Sequence, residues 1–191
     1  MVRKVIEEFN LNQMIDGDIY IMNDPYHGGT HLPDIALIMP IFSGGELIAF
    51  SAAMTHHQDI GGMSPGSVPT NATEIFQEGI RIPPLKYSSG GIVNETLLKL
   101  LKLNVRLPDS FEGDLNAQLA ACEIGRRRIS DLDSRYSVKI LKNIFSDLLN
   151  RSELMTRRAI RELPDGKHSY FDFLDNDGID LDTPIKIEVS V

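Results

Sequence analysis

The sequence has a single cysteine, Cys122, and too little positive charge: 19 Lys and Arg stand against 27 Asp and Glu, a formal net charge of -8 at pH 7. One thiol cannot close an intrachain disulfide or build a cysteine-based zinc site, and it fits a reducing compartment. The acidic balance argues against nucleic acid as a partner, because neutralising phosphates takes a clustered surplus of Lys and Arg. No run approaches the roughly 20 apolar residues that span a bilayer. Glu7 and Glu8 fall where a secretion signal would carry its apolar core. The expectation is a cytoplasmic protein with no membrane association. Also missing are a Gly-x-x-x-x-Gly-Lys-Ser/Thr loop and a Gly-x-Gly-x-x-Gly turn ahead of a helix, so no phosphate-cradling loop of those types marks a nucleotide site here.

What is present is the composition of an ordinary globular protein, 42% hydrophobic and 24% charged over 191 residues, enough to bury one sizeable core. Residues 1–191 are therefore read as one domain with three regions. In 18–91, short apolar runs at Asp18 to Asn23, Ile35 to Phe42 and Glu46 to Met54 are bounded by Gly, Pro and Asn and predict strands. Ser43-Gly44-Gly45 between the last two predicts a hairpin. Gly61 to Gly91 reads as a long loop, with a short helical piece near Thr73 to Glu78, of the kind that lines or covers a site.

The second region, 94–163, is helical. Asn94 to Asn104 carries Leu97, Leu98, Leu100 and Leu101, and Asp114 to Leu163 repeats apolar residues from Leu115 through Cys122, Ile129, Ile140 and Leu148 to Met155 at threes and fours. Cys122 on that stripe reads as a small buried apolar residue. Arg126-Arg127-Arg128 reads as a solvated face, and Pro164-Asp165-Gly166 ends the helix. Residues 167–191 form a strand pair in outline, with strict alternation at Ile185, Ile187, Val189 and Val191. Ending inside such a pattern suggests a polypeptide that continues or a sheet that another subunit completes. Segregated strands and helices give an α+β fold: a small antiparallel sheet, its hairpin carrying the chemistry, packed on long helices from the C-terminal half.

Histidine is concentrated rather than scattered. Four of the five lie at His27, His31, His56 and His57, and two of them open the same spacing, His31-Leu-Pro-Asp34 and His56-His-Gln-Asp59. Imidazole nitrogen with carboxylate oxygen is a donor set for a catalytic divalent metal. The hairpin brings the two units together, since one enters its first strand and the other leaves its second. The first choice of ligands is His31, Asp34 and His56, which leaves coordination positions for water and substrate. His57 and Asp59 are the alternates, because adjacent histidines on an extended strand cannot both point into one site. An N/O set without thiolate suits manganese, iron or zinc. Asn23, Asp24 and His27 read equally as groups near the substrate and as turn-formers. Asp114 and Gln118, one helical turn apart, face the same way, although Asp114 also reads as an N-cap.

Five stretches stand in order: Asn23-Asp-Pro-Tyr-His-Gly-Gly-Thr-His-Leu-Pro-Asp34, His56-His-Gln-Asp-Ile-Gly-Gly62, Ser64-Pro-Gly66, Glu78-Gly-Ile-Arg-Ile-Pro-Pro84 and Gly113-Asp-Leu-Asn-Ala-Gln118. With them the chain resembles the hydantoinase B family, which includes the B component of N-methylhydantoinase, the C-terminal half of 5-oxoprolinase and the large subunits of ketone carboxylases. Members are several hundred residues long, so the resemblance implies an internal fragment or a split gene. It also implies a metal-bearing half-enzyme in a hetero-oligomer, which hydrolyses a small cyclic amide together with a hydantoinase A-type partner that binds ATP. On that reading Asp24, His27 and Asp59 join the reaction as catalytic groups beside the metal ligands His31, Asp34, His56 and His57. Carboxylation of a ketone, or a folded interaction module without catalysis, are the alternatives.

Overall fold

The computed structural model describes all of residues 1–191, which divide into two compact units, Met1–Lys142 and Asn143–Val191. The first is built on a five-stranded sheet. Its strands are β1 (Ile19–Met22), β2 (Asp34–Ser43), β3 (Glu46–His56), β4 (Leu85–Ser89) and β5 (Ile92–Val93), in the order β3-β2-β1-β4-β5, every neighbouring pair antiparallel. The helices are α1 (Val2–Phe9), α2 (Glu95–Leu103), α3 (Pro108–Tyr136) and α4 (Val138–Arg161), the last crossing into the second unit. This is the α+β arrangement expected from segregated strands and helices.

Alternation along β1 and β2 sorts their side chains into two apolar clusters, one on each face. Ile19 and Ile21 with Ile35, Leu37 and Met39 face Leu97 and Leu101 of α2 and Phe111, Leu115 and Cys122 of α3. Tyr20 and Met22 with Ala36 and Ile38 face Val5 of α1. Both strands are therefore apolar on both faces, which explains their near-continuous hydrophobic runs. Cys122 is buried, its Sγ 3.6 Å from the carbonyl oxygen of Leu37, and burial pushes its thiol pKa up.

The β2–β3 hairpin turns at Gly44 and Gly45, with φ of 55° and 83°, the left-handed pair of a type I′ hairpin turn. From there the register runs to Asp34 opposite His56. The stretch 61–91 is not all loop. It contains the one-turn helix Ile75–Gln77 and the strand β4, which turns at Gly90-Gly91 into β5. Lys86-Tyr-Ser-Ser-Gly-Gly-Ile-Val93 carries the alternation and glycine pair of a hairpin, a signal hidden by the surrounding Gly and Pro.

The helical region expected over Asp114 to Leu163 starts earlier and is divided into two helices, α3 and α4. It starts at Pro108, where proline's fixed φ and missing N–H suit a first turn. It is interrupted at Ser137, whose φ of 71° leaves the helical region. The apolar spacing continues through this break, but burial along it is uneven on both sides: Leu115, Cys122 and Leu141 are buried, whereas Leu132, Ile140, Ile144, Leu148 and Met155 are exposed. The unit Asn143–Val191 comprises the rest of α4 and the hairpin of β6 (Ser169–Leu174) with β7 (Ile185–Ser190), in register from Ser169 opposite Ser190 to Leu174 opposite Ile185.

Two buried polar side chains lock the sheet to its loops. Asp18, fully buried, accepts hydrogen bonds from Lys86 Nζ at 2.7 Å, Tyr20 Oη at 3.0 Å, and the main-chain N–H groups of Gly90 and Ile15 at 3.0 and 3.2 Å. Burial alone would raise its pKa, but these donors hold the carboxyl below the ordinary aspartate value. Asn23, also fully buried, donates to the carbonyls of Leu32 (2.6 Å) and Ile80 (2.9 Å) and accepts from the N–H of Ile82 (2.6 Å). Its three bonds hold the segment after β1, the segment before β2 and the segment before β4 at one point.

Both locks are open to measurement. Asn23→Ala strips three main-chain groups of their partner and lowers unfolding stability by about 3 kcal/mol, read as a lower denaturant midpoint at unchanged slope. Because the folded pKa of Asp18 is depressed, its stabilisation is present above the unfolded aspartate value of about 3.9 and is lost as pH falls through the folded value. Asp18→Asn therefore costs about 2 kcal/mol at neutral pH and makes the acid limb of a melting-temperature profile shallower than in the unaltered chain.

Candidate metal centre

The end of the β2–β3 hairpin opposite its glycine turn gathers three of the four His-x-x-Asp residues, His31, Asp34 and His56. Asp34 opens β2 and His56 closes β3, and antiparallel register sets them side by side. His31 lies in the turn before β2, where its carbonyl accepts from the N–H of Asp34 (3.0 Å) and its own N–H donates to Asp34 Oδ2 (3.2 Å). The carboxylate of Asp34 then spans both rings, with Oδ2 3.1 Å from His31 Nδ1 and Oδ1 2.9 Å from His56 Nδ1.

Each of the three side chains offers a ligand atom, and these atoms lie within 4.8 Å of one another, the scale set by two metal–ligand bonds of about 2.0–2.3 Å. The donor set, two imidazole nitrogens and one carboxylate oxygen, fits a divalent ion. Asp34 is largely covered while the side chains of His31 and His56 are 67% and 56% exposed. The carboxylate is thus anchored from below and the rings open toward solvent, as a site that admits a substrate requires. Burial would raise the pKa of Asp34, but hydrogen bonds from His56 and from the His31 main chain and ring keep it below the ordinary value, so the group is an anion at neutral pH.

His57, the alternate ligand, is not part of this group. Strand alternation turns it to the opposite face, where it is 1% exposed against Phe111 and its Nε2 lies 2.9 Å from Gln118 Oε1. Burial pushes its pKa down. Its Nδ1 has no hydrogen-bond partner, with Asp114 Oδ2 4.0 Å away. Gln118 reaches the same strand pair from α3, its Nε2 donating to the carbonyls of Ile35 (2.8 Å) and Ala53 (3.0 Å). The helical pair Asp114 and Gln118 does face one way, and what it faces is His57.

Asp59, read as a catalytic candidate, is held on every side. It accepts from the N–H groups of Gly61 (2.9 Å), Gly66 (3.1 Å) and Arg106 (3.1 Å) and from Arg106 Nη1 (3.0 Å). Burial is outweighed by these donors, which lower its pKa. Arg106 in turn donates to the carbonyls of Gly61, Ser64 and Gly62. The Asp59–Arg106 pair therefore shapes the loop after β3 and leaves no oxygen of Asp59 free for substrate. That loop packs on the segment around Ile75–Gln77: Gly62 has φ of 82°, and a Cβ there would lie 2.6 Å from the Gln77 carbonyl oxygen.

Asp24 and His27 form a second polar group, tied to the His31–Asp34–His56 cluster through Asn23 and the short chain between. Asp24, 4% exposed, caps the one-turn helix Pro25–His27 by accepting from the Tyr26 N–H at 3.0 Å, and its Oδ2 lies 2.9 Å from His27 Nδ1. This orients the ring and directs its Nε2 away from the carboxylate. The same Oδ2 is 3.6 Å from Arg81 Nε. Arg81 belongs to no metal-ligand spacing, and only its place in the ordered stretch Glu78 to Pro84 singles it out in the sequence.

A family model described as hydantoinase B/oxoprolinase matches residues 1–191. Among curated relatives, the B component of a putative D-/L-hydantoinase of Pseudomonas sp. (strain NS671) is 36% identical over 191 residues, covering 100% of this chain and 32% of the relative. Among solved structures, the ATP-dependent caprolactamase from Pseudomonas jessenii superposes with a TM-score of 0.88 at 33% identity, over 98% of this chain and 33% of that one. A nucleotide-free acetone carboxylase gives a TM-score of 0.82 at 25% identity, over 89% and 23%. The chain thus spans about a third or less of the length of these proteins. With the ordered motifs, the α+β fold and the His31–Asp34–His56 cluster in place, the match over its full length places this chain in the hydantoinase B/oxoprolinase family.

Proposed function

We propose that this chain is the metal-bearing part of an ATP-dependent amidohydrolase that opens a small cyclic amide together with a hydantoinase A-type, ATP-binding partner. The observation that carries the reading is the convergence of His31, Asp34 and His56 at the open end of the hairpin. These three residues would hold manganese, zinc or iron, an ion that when bound supplies Lewis-acid polarisation of a carbonyl or activation of water. Asp34 bridges the two rings and fixes their orientation. Next to this group Asp24 holds the Nδ1 edge of His27, which leaves the Nε2 edge of a partly exposed imidazole to accept a proton from water or return one to the leaving nitrogen. Asp24 acts by orienting His27, whereas Asp59 serves the loop.

The absence of a phosphate-binding loop of the common types supports placing ATP on the partner, and the names of the similar caprolactamase and hydantoinase proteins support a cyclic amide and a second polypeptide. The likeness to acetone carboxylase favours one second reading, ATP-dependent carboxylation of a ketone at the same residues.

Metal content and product tell these apart. Loaded with manganese, zinc or iron and dialysed, the purified chain is expected to retain about one ion per molecule by elemental analysis. His31→Ala, Asp34→Asn and His56→Ala each weaken retention about 100-fold or more with the circular-dichroism spectrum unchanged, because the two rings are exposed and contribute little to the core. His168→Ala changes nothing, since His168 lies in the other unit against the Pro164 carbonyl. A chain that binds none of these ions would return the reading to an interaction module. With the partner and ATP present, ring opening without bicarbonate uptake supports the hydrolase, and bicarbonate fixation supports the carboxylase.

A further inference from the structure

Arg81 is the cation of this region that the fold does not use up. Arg106, by contrast, spends its guanidinium on a carboxylate and three carbonyls. Arg81 has one carboxylate neighbour, Asp24, at 3.6 Å from its Nε, an ion pair too long to be a hydrogen bond. Its terminal nitrogens make no hydrogen bond to the chain, and its side chain is 40% exposed. The guanidinium carbon sits 5.7 Å from the ring centre of Tyr26 and 6.0 Å from that of Phe76. Those two rings are among the most exposed large apolar side chains of the first unit, at 75% and 76%.

The arrangement is held in place from outside itself. Asn23 binds the main chain on both sides of Arg81, at Ile80 and Ile82. Phe76 rides on a one-turn helix closed by a reciprocal Glu74–Gln77 cap, and the Gln77 carbonyl accepts from Met63 N–H at 2.7 Å. Tyr26 rides on the Asp24-capped turn. An arginine with a carboxylate near its Nε edge, its two outer nitrogens free and two aromatic rings beside it, is shaped for a flat group that bears a carboxylate. The outer nitrogens match two coplanar oxygens, and the rings accept the apolar body.

We infer that Arg81 is a specificity-determining residue that receives a ring-borne carboxylate of the substrate, with Tyr26 and Phe76 packing on the ring. This inference deepens the proposed cyclic-amide function and rests on it for the identity of the ring. The arginine selects carboxylated cyclic amides over uncharged ones.

The test is a set of NMR titrations of the purified chain with 5-oxoproline, with 2-pyrrolidinone, which is the same ring without the carboxylate, and with inorganic phosphate. Expected is binding of 5-oxoproline about tenfold or more tighter than of 2-pyrrolidinone, with shifts centred on Tyr26, Phe76 and Arg81. Arg81→Gln should reduce that ratio to near one, and Arg81→Lys should restore only part of it, because the charge returns without the paired donors. Melting temperature verifies that each variant is folded. Equal binding of the two rings, no binding of either, or a ratio that survives Arg81→Gln overturns the assignment. Phosphate binding as tight as 5-oxoproline and lost in Arg81→Gln would show a general anion site and overturn the carboxylate selectivity. Metal content measured on the same samples separates the two readings: retained metal with no ring discrimination sinks only the role of Arg81, and ring discrimination without metal sinks only the metal centre.

Discussion

The three hydrogen bonds of the Asn23 side chain are the constraint on which the rest of the site depends. A carboxamide donates from one end of a flat group and accepts at the other. Buried after β1, Asn23 uses both functions on main-chain groups of two other segments. One of those segments leads into Asp34, with His31 just before it, and the other carries Arg81. Hydrogen bonds buried away from water do not exchange freely with solvent partners, so breaking any of them is costly. Asn23, directly after β1, therefore ties the segments before β2 and before β4 to the end of that strand, in addition to the bonds those loops make with one another.

The buried aspartates of the first unit have distinct tasks. Asp18 joins β1 to β4, and Asp59 shapes the loop after β3. Asp24 orients a histidine, and Asp34 gathers two. Asp18, Asp34 and Asp59 all have pKa values below the ordinary one, in each case because donated hydrogen bonds outweigh burial. What separates them is the nature of the donors. Main-chain N–H groups and an arginine saturate Asp59 and close it to ligands. Asp34 instead faces two exposed imidazoles, which leave it open on the solvent side.

Much of this is legible in the sequence where side-chain pattern and local turn chemistry act alone. The hairpin follows from two apolar runs about a glycine pair, and strand parity admits only one of His56 and His57 beside Asp34; the folded register makes it His56. The helix break at Ser137 is not legible, because apolar residues recur at helical spacing on both sides of it. The strand pair β4–β5 is masked by neighbouring Gly and Pro. Least legible are the roles of Asn23 and Gln118, whose partners are main-chain groups 57 and 83 positions away in the bonds to Ile80 and Ile35. Main-chain acceptors leave no mark on residue identity, so only the folded arrangement reveals them. Asp59 misleads for a related reason: its spacing matches Asp34, but Arg106, which occupies it, lies 47 positions downstream.

The paired histidines at the end of β3 have a further consequence for folding fidelity. His56 and His57 are chemically identical, yet one is wet and faces a carboxylate while the other is dry and faces a glutamine. Sliding β3 by a single residue would exchange their surroundings and at the same time turn every side chain of the strand to the wrong face. The pairing irregularity that the hairpin does contain lies at Ile41/Phe42, near the glycine turn, and leaves the far end in step. Misaligned hairpins are thus penalised twice, in packing and in polarity, and a chain that has assembled its core has also set His56 beside Asp34.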